Sequence, residues 1–258
     1  MASHSNHSCD SDRRRWMVAV GVSTFGLALG PPFARAAQGG PTQEHGEEMA
    51  VTAAEDLMRE HGVLRRALLV YSEAAARLTQ GRDEVPASAL GQMADLFRRF
   101  GEDYHERSLE EAHVFPALIK GGGRNAVLAK TLISQHERGR EITDFIAAST
   151  RGGHIASGAA APLAATLTDF VRMYQHHAAI EDTVIFPAWK QGITPARYRE
   201  LSEEFEELEH KLFGEDGYDD AVKQVAEAER AFGLADLSAL TAPKPPGISA
   251  PTAPPSVD

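Results

Sequence analysis

Cysteine is nearly absent from the 258-residue sequence, which holds only Cys9. A single thiol excludes an intramolecular disulfide framework. It also excludes zinc or iron–sulfur sites that are built on several cysteines. Metal sites made of histidine and carboxylate side chains remain open to this chain.

Long apolar runs and an excess of positive charge are missing as well. The apolar stretch at residues 18–30 has 13 residues, whereas a helix that spans a bilayer needs about 20. Acidic residues outnumber basic ones by 37 to 26, which gives a net charge of −11. This balance argues against nucleic acid or an anionic membrane as a partner. We expect no stable membrane insertion of the mature chain.

The first 36 residues are typical of an export signal and not of a folded domain. Arg13 and Arg14 precede a bulky apolar pair, a weakly hydrophobic stretch follows, and residues 34–36 form a small-x-small cleavage site. The pattern resembles a twin-arginine signal, which directs folded proteins out of the bacterial cytoplasm. We therefore predict a periplasmic or exported protein, with an uncleaved membrane anchor as the alternative.

Periodicity and composition divide the rest of the chain into four parts. Residues 37–51 are rich in Gly, Gln and Glu and read as a linker. Residues 52–190 carry apolar positions at helical spacing. Residues 194–240 are highly charged and predict a helical appendage. Residues 241–258 are rich in proline and small residues and predict a disordered tail.

Four helices are predicted within residues 52–190. Thr52 and Glu55 have the spacing of a capping box at the start of the first helix. Gly81, the glycines at 121–123 and those at 152–153 separate the helices from one another. No strand pattern interrupts them. Four helices joined by short loops predict an all-α fold, an up-down-up-down four-helix bundle.

The second and fourth helices contain related sequences. Residues 110–118 read EEAHVFPAL and residues 181–189 read EDTVIFPAW, at an offset of 71 residues. Duplication of a helical hairpin fits a bundle that is built from two similar halves.

Polar residues interrupt the apolar stripe of every predicted helix. A lone inward histidine is more often a hydrogen-bonded core residue than a ligand, but here each of the four helices contributes one, and two helices add carboxylates. The candidate metal ligands are His61, His105, Glu106, Glu110, His136, His177 and Glu181.

Burial of this many polar groups requires a compensating cation, because an unpaired buried carboxylate costs several kcal/mol. Imidazole nitrogens combined with carboxylate oxygens suit iron or manganese. A pair of ions bridged by carboxylates is the usual arrangement in such a bundle. His177 and Glu181 are four residues apart and so reach the same point on one helix face.

The pattern resembles the hemerythrin-like (HHE cation-binding) family over residues 53–190. The resemblance rests on Glu60-His61, on His105 to Glu110 ahead of Phe115-Pro116, on Gln135-His136, and on His177 to Glu181 ahead of Phe186-Pro187. It implies a non-haem di-iron centre that binds oxygen, peroxide or nitric oxide, or that senses iron and oxygen. It also implies that His61 and His105 bind one iron, that His136 and His177 bind the other, and that Glu110 and Glu181 bridge the two.

Two positions depart from the family pattern. Oxygen-carrying members have a second histidine one turn after the ligand of the third helix, where this chain has Arg140. One iron then has fewer nitrogen ligands, which favours sensing or redox reactivity over oxygen carriage. The step from His105 to Glu110 is five residues instead of four. Either a π-bulge absorbs the extra residue, or Glu106 is the ligand.

Three functions are compatible with these observations. The first is a protein that binds or senses a small molecule at two iron ions. The second is a di-iron redox enzyme that consumes peroxide or acts as an oxidase. The third, a metal-free bundle that acts through its acidic surface, conflicts with the buried carboxylates. Ligand type alone does not separate the first two.

Overall fold

The computed structural model of the protein describes residues 51–81, 84–214 and 217–246. Within these ranges all regular secondary structure is helical and no strand occurs, so the prediction of an all-α fold is confirmed for them. Among the helices of these ranges, no stretch combines the length and the hydropathy that a membrane span requires. The predicted signal peptide, nearly all of the predicted linker and the last twelve residues of the predicted tail lie outside the described residues.

Helix α1 comprises Ala53–Gln80. The backbone N–H of Thr52 donates to the Glu55 carboxylate at 3.4 Å, as the capping-box spacing predicts. The helix ends at Gly81, which takes the left-handed conformation with φ 61° and donates its N–H to the carbonyl of Arg77. The start of α1 agrees with the sequence prediction, and so does its end.

The bundle contains four long helical stretches, which we call rods, and α1 is the first of them. The second rod changes between α-helical and π-helical geometry along its length. It begins as α2 (Ala87–Leu96), continues as a π-helical segment (Phe97–Val114) and ends as α3 (Phe115–Gly121). At the junction the N–H of Phe115 donates to the carbonyl of Glu110, five residues back. In such winding, hydrogen bonds join residues five apart. The extra residue between His105 and Glu110 is therefore absorbed by π-helical geometry.

The third and fourth rods form the second half of the bundle, and the fourth rod repeats the change to π-helical geometry. Helix α4 comprises Gly123–Ser149, and after a short 3-10 turn α5 comprises Ala160–Ile180. A second π-helical segment (Glu181–Ile185) then leads into α6 (Phe186–Gly192). In both halves a Phe-Pro pair opens the helix after the π-helical segment. Proline is tolerated there because the first turn of a helix does not need its N–H.

Aromatic rings fill the core on one side of the inward polar residues. Phe97 and Phe170 pack edge to face with ring centroids 5.0 Å apart, and Tyr71 meets Phe170 in the same way at 5.6 Å. Each such pair contributes about 0.5–1.5 kcal/mol beyond the burial of its apolar surface. These contacts join α1, α5 and the second rod.

Two further helices, α7 (Pro195–Phe213) and α8 (Gly217–Ala231), pack on the bundle. The hydroxyl groups of Tyr198 and Ser202 on α7 accept hydrogen bonds from the first N–H groups of α1, at 3.1 and 2.9 Å. Those N–H groups have no partner within α1 itself. Glu229 on α8 forms a bidentate pair with Arg66. The charged C-terminal segment therefore folds as helices that share the core of the bundle.

Helix α4 lacks a side chain at the point where it meets a buried tyrosine of α5. A Cβ atom at Gly139 would overlap the hydroxyl of Tyr174 and lie 2.9 Å from its Cζ. The ring cannot turn aside easily, because Tyr174 is buried and its hydroxyl donates to Glu106 at 2.7 Å.

We expect Gly139→Ala to lower the free energy of unfolding by about 1–3 kcal/mol, the usual cost of overpacking a core. Gly62→Ala is the matched control, because Gly62 lies on the exposed face of α1 with nothing within 4 Å of a Cβ. There alanine should stabilise the helix by about 0.5–1 kcal/mol. Urea denaturation of both variants measures the two effects. Equal stability of the two variants would contradict the packing described for Tyr174.

Candidate metal centre

Six inward side chains meet at one level of the bundle. Four are histidines, one from each of the four rods, and two are glutamates from the π-helical segments. All six are at least 97% buried: His61, His105, Glu110, His136, His177 and Glu181. The structure therefore brings together six of the seven residues that the sequence singles out as candidate ligands.

The first pair of histidines faces one end of each glutamate. Nε2 of His61 lies 3.4 Å from Oε2 of Glu181. Nε2 of His105 lies 3.4 Å from Oε1 of Glu110. The rings of His61 and His105 are 4.7 Å apart between centroids, so their inward nitrogens point into one small space.

The second pair of histidines faces the other end of the same glutamates. Nε2 of His136 lies 3.4 Å from Oε2 of Glu110, and Nε2 of His177 lies 2.9 Å from Oε1 of Glu181. The two Nε2 atoms are 3.0 Å apart. Each carboxylate thus extends from one histidine pair to the other, as a bridging ligand must.

The outer nitrogen of each histidine, Nδ1, is hydrogen-bonded to a side-chain oxygen from another rod. In every case the partner of Nδ1 is a side-chain oxygen, and an oxygen acceptor favours the tautomer that carries its proton on Nδ1 and directs the lone pair of Nε2 inward. The pairs are His61 with Asp182 at 2.6 Å, His105 with Glu60 at 2.6 Å, His136 with Glu111 at 2.8 Å, and His177 with Gln135 at 2.9 Å.

These four partners are absent from the sequence-predicted site, although a signal for them exists. Each is the immediate sequence neighbour of a candidate ligand: Glu60 precedes His61, Gln135 precedes His136, Glu111 follows Glu110 and Asp182 follows Glu181. A polar residue directly beside an inward ligand is the sequence signal for such a partner. Which histidine each one hydrogen-bonds depends on how the rods pack.

Two arginines extend this arrangement symmetrically. Arg65 forms an ion pair with Asp182, and Arg140 forms one with Glu111. Each arginine lies one helical turn after an inward histidine, Arg65 after His61 and Arg140 after His136. In both halves, therefore, an arginine forms an ion pair with the carboxylate that is hydrogen-bonded to a histidine.

Glu106 lies outside the cluster of inward Nε2 atoms. Its carboxylate accepts hydrogen bonds from Tyr174 at 2.7 Å and from Arg140 at 3.3 Å. Its nearest approach to His136 is to the outer nitrogen Nδ1, at 3.9 Å. The geometry brings His105, and not Glu106, to Glu110. Glu106 instead lies in a second group of possible metal ligands, with Glu111 and His136.

The electrostatics of the cluster show a demand for positive charge. Burial lowers the pKa of His136, but the nearby carboxylates of Glu106 and Glu111 outweigh it and raise that pKa to about 9. Burial raises the pKa of Glu111, but His136 and Arg140 outweigh it and bring the pKa down to about 2. The raised pKa of His136 means that the surrounding carboxylates favour a positive charge at this position, which a bound proton or a metal cation would supply.

The residues present fit a metal centre. Nε2 of His105, both carboxylate oxygens of Glu110 and Oε2 of Glu181 are buried and have no hydrogen-bond partner among the described residues. In an octahedral shell, neighbouring ligand atoms about 2.1 Å from a cation lie about 3 Å from one another. The inward atoms of Glu110, His136, His177 and Glu181 lie within 4.8 Å of one another, and so do those of His61, His105 and Glu110. Nitrogen and carboxylate donors in this mixture suit iron or manganese.

Comparison with known proteins agrees with this arrangement. The profile described as "Hemerythrin HHE cation binding domain" matches residues 52–189. Uncharacterized proteins of Mycobacterium bovis and Mycobacterium tuberculosis are 42% identical to this chain over 224 residues, which is 86% of this chain and 86% of theirs. No solved structure matches the chain. The chain belongs to the hemerythrin HHE cation-binding family.

Proposed function

We propose that the protein binds two non-haem iron ions and uses them to bind or sense a small molecule such as oxygen, peroxide or nitric oxide. The observation that carries the proposal is the span of Glu110 and Glu181, whose two oxygens face different histidine pairs. His61 and His105 would hold one ion, and His136 and His177 the other. Manganese suits the same donors.

The bundle contributes orientation and exclusion of water in this proposal. We infer an up-down-up-down order of the four rods, which lets each rod present its histidine at the same level. When bound, the ions supply open coordination positions and redox chemistry for a small ligand. Asp182, Glu60, Glu111 and Gln135 keep the histidines in the tautomer that directs Nε2 inward.

Arg140 favours a second candidate, a di-iron redox enzyme that consumes peroxide or acts as an oxidase. A guanidinium group stays protonated and has no lone pair, so it cannot replace a histidine ligand. The side chain of Arg140 is engaged with Glu106 and Glu111 instead. The ion beside His136 would then keep an additional position open to water or substrate.

Metal analysis of the native protein tests the proposal. Protein matured in its own host should contain about two iron ions per chain, and its visible absorption should change on addition of oxygen, peroxide or nitric oxide. Catalytic loss of peroxide would favour the enzyme, whereas a stable adduct would favour binding or sensing. Absence of both iron and manganese would overturn the proposal.

We propose further that the chain is exported through the twin-arginine route. Replacement of both Arg13 and Arg14 by Lys should leave the precursor in the cytoplasm, because the receptor for this route reads the paired arginines as an address. Arg35→Lys, which lies outside the pair, serves as the control. Fractionation of cells followed by immunoblotting measures the location. Normal export of the double variant would refute the assignment.

A further inference from the structure

The two histidine pairs are supported by different chemical groups. In the first pair, His61 donates to Asp182 and His105 donates to Glu60, and both acceptors are carboxylates. In the second pair, His136 donates to the carboxylate of Glu111. His177 is different, because it donates to an amide oxygen, that of Gln135, at 2.9 Å.

The difference arises at equivalent positions of the two halves. Glu60 directly precedes His61 on α1, and Gln135 directly precedes His136 on α4. Each of them reaches across to the histidine of the next rod. The first half therefore has a carboxylate where the second half has a neutral amide of almost the same shape.

The other charges around the two pairs match more closely. Arg65 pairs with Asp182 on one side, and Arg140 pairs with Glu111 on the other. Glu106 adds a carboxylate near the second pair, but it accepts its hydrogen bonds from Tyr174 and Arg140 and lies 3.9 Å from His136. The hydrogen bond to His177 therefore remains the main difference in direct support between the pairs.

A carboxylate that accepts the outer N–H of a histidine makes the inner nitrogen a stronger donor, and a neutral amide does so less. Burial enlarges the difference. Glu60 is 1% exposed, whereas Gln135 is half-buried and nearer to water. Charge-assisted hydrogen bonds are stronger where the local dielectric constant is low.

We propose that Glu60 and Gln135 are positioning residues that make the two metal positions unequal. The inference rests on the proposed two-ion site. The position of His61 and His105 binds its ion more tightly and fills first. The position of His136 and His177 fills second and exchanges its ion more readily, and it is also the position beside Arg140.

Exchange of the two groups tests the proposal on the full-length chain. Ferrous iron is titrated anaerobically into metal-free protein in competition with a chelator, and the affinity of each binding step is measured. The wild type should bind two ions in two steps. Glu60→Gln should weaken the tight step by about 10–100-fold, the range for loss of a group that orients a metal-bound histidine. Gln135→Glu should strengthen the weak step, and the double exchange should reverse the order of the positions.

Two controls separate this effect from net charge and from misfolding. Ser134→Glu adds the same charge as Gln135→Glu, but on the exposed face of α4, and it should leave both steps unchanged. If Glu60→Gln fails to fold, Gln135→Glu still decides the question, because residue 135 is only half-buried. The rate at which the chelator removes each ion gives a second measurement that is independent of any activity.

The outcomes distinguish this inference from the proposed function. Two steps of equal affinity that neither substitution changes would overturn the inequality and leave the two-ion site standing. Weakening of only the second step by Glu60→Gln would overturn the inequality in the same way. No binding of ferrous iron by the wild type would overturn both proposals.

Discussion

Glu110→Gln should abolish retention of the two proposed metal ions, with an affinity loss of at least about 100-fold, the upper end of the range for residues that orient a metal ligand. The two oxygens of Glu110 lie 3.4 Å from Nε2 of His105 and 3.4 Å from Nε2 of His136. A single substitution therefore removes the negative charge that faces both positions, and at one of them it replaces the donor oxygen by an NH2 group. Elemental analysis of the purified variant, reloaded with ferrous iron, measures the loss.

Glu102→Gln is the matched control for that experiment. Glu102 is fully buried in the same π-helical segment, two turns before Glu110, and pairs with Arg98 instead of with a histidine. Burial raises the pKa of Glu102 to about 7, so a neutral glutamine suits this position. The control should keep its full metal content. Equal metal loss in both variants would show that burial of a carboxylate, and not bridging, explains the result.

Removal of the metal should lower the stability of the fold substantially. An ion that binds only the folded state contributes about 4 kcal/mol when its free concentration is 1,000 times the dissociation constant. For a chain of this size that energy corresponds to a rise in melting temperature of roughly 10 °C. Calorimetry of the metal-free and reloaded protein measures the difference.

The Glu110→Gln variant supplies the internal reference for this second prediction. Its melting temperature should change little on addition of ferrous iron, because the variant lacks the carboxylate that extends from one histidine pair to the other. A wild type that melts at the same temperature with and without verified metal would rule out a contribution of the cluster to folding. So would a variant that gains as much stability as the wild type.

The helical fold and the inward cluster follow from local sequence. Periodic apolar positions predict the rods, and glycines at 81 and 122 end two of them in the structure as in the prediction. Helical spacing also predicts which histidines point inward, because His61 and His177 fall within apolar stripes. Their service as metal ligands stays a prediction, whereas their convergence is a property of the structure.

Helical periodicity does not show which side chain orients which histidine. Glu60 stands beside His61 in the chain, yet it holds His105 on another rod. Likewise Asp182 follows Glu181 and holds His61, 121 residues away. Such pairs depend on the rotation of one rod against its neighbour, which local periodicity does not define.

The π-helical geometry of the second rod is only partly predictable from the sequence. The five-residue step from His105 to Glu110 is compatible with a π-bulge or with a different ligand. The structure has π-helical geometry from Phe97 to Val114, far longer than a single bulge. Sequence periodicity alone does not predict that length, because the pattern of buried residues over a few turns is compatible with either winding.

Each histidine is hydrogen-bonded by a side chain of another rod, and this determines the order in which folding and metal binding can occur. Neither helical hairpin holds a complete position, because His61 and His105 need Glu181 from the other hairpin, and Asp182 from that same hairpin orients His61. A chain in which only the first half has folded would offer a cation an incomplete set of ligand atoms. At the proposed site, tight binding of metal therefore has to follow docking of the two halves. In a refolding experiment, uptake of iron would mark the last step, and a chain arrested earlier would stay empty.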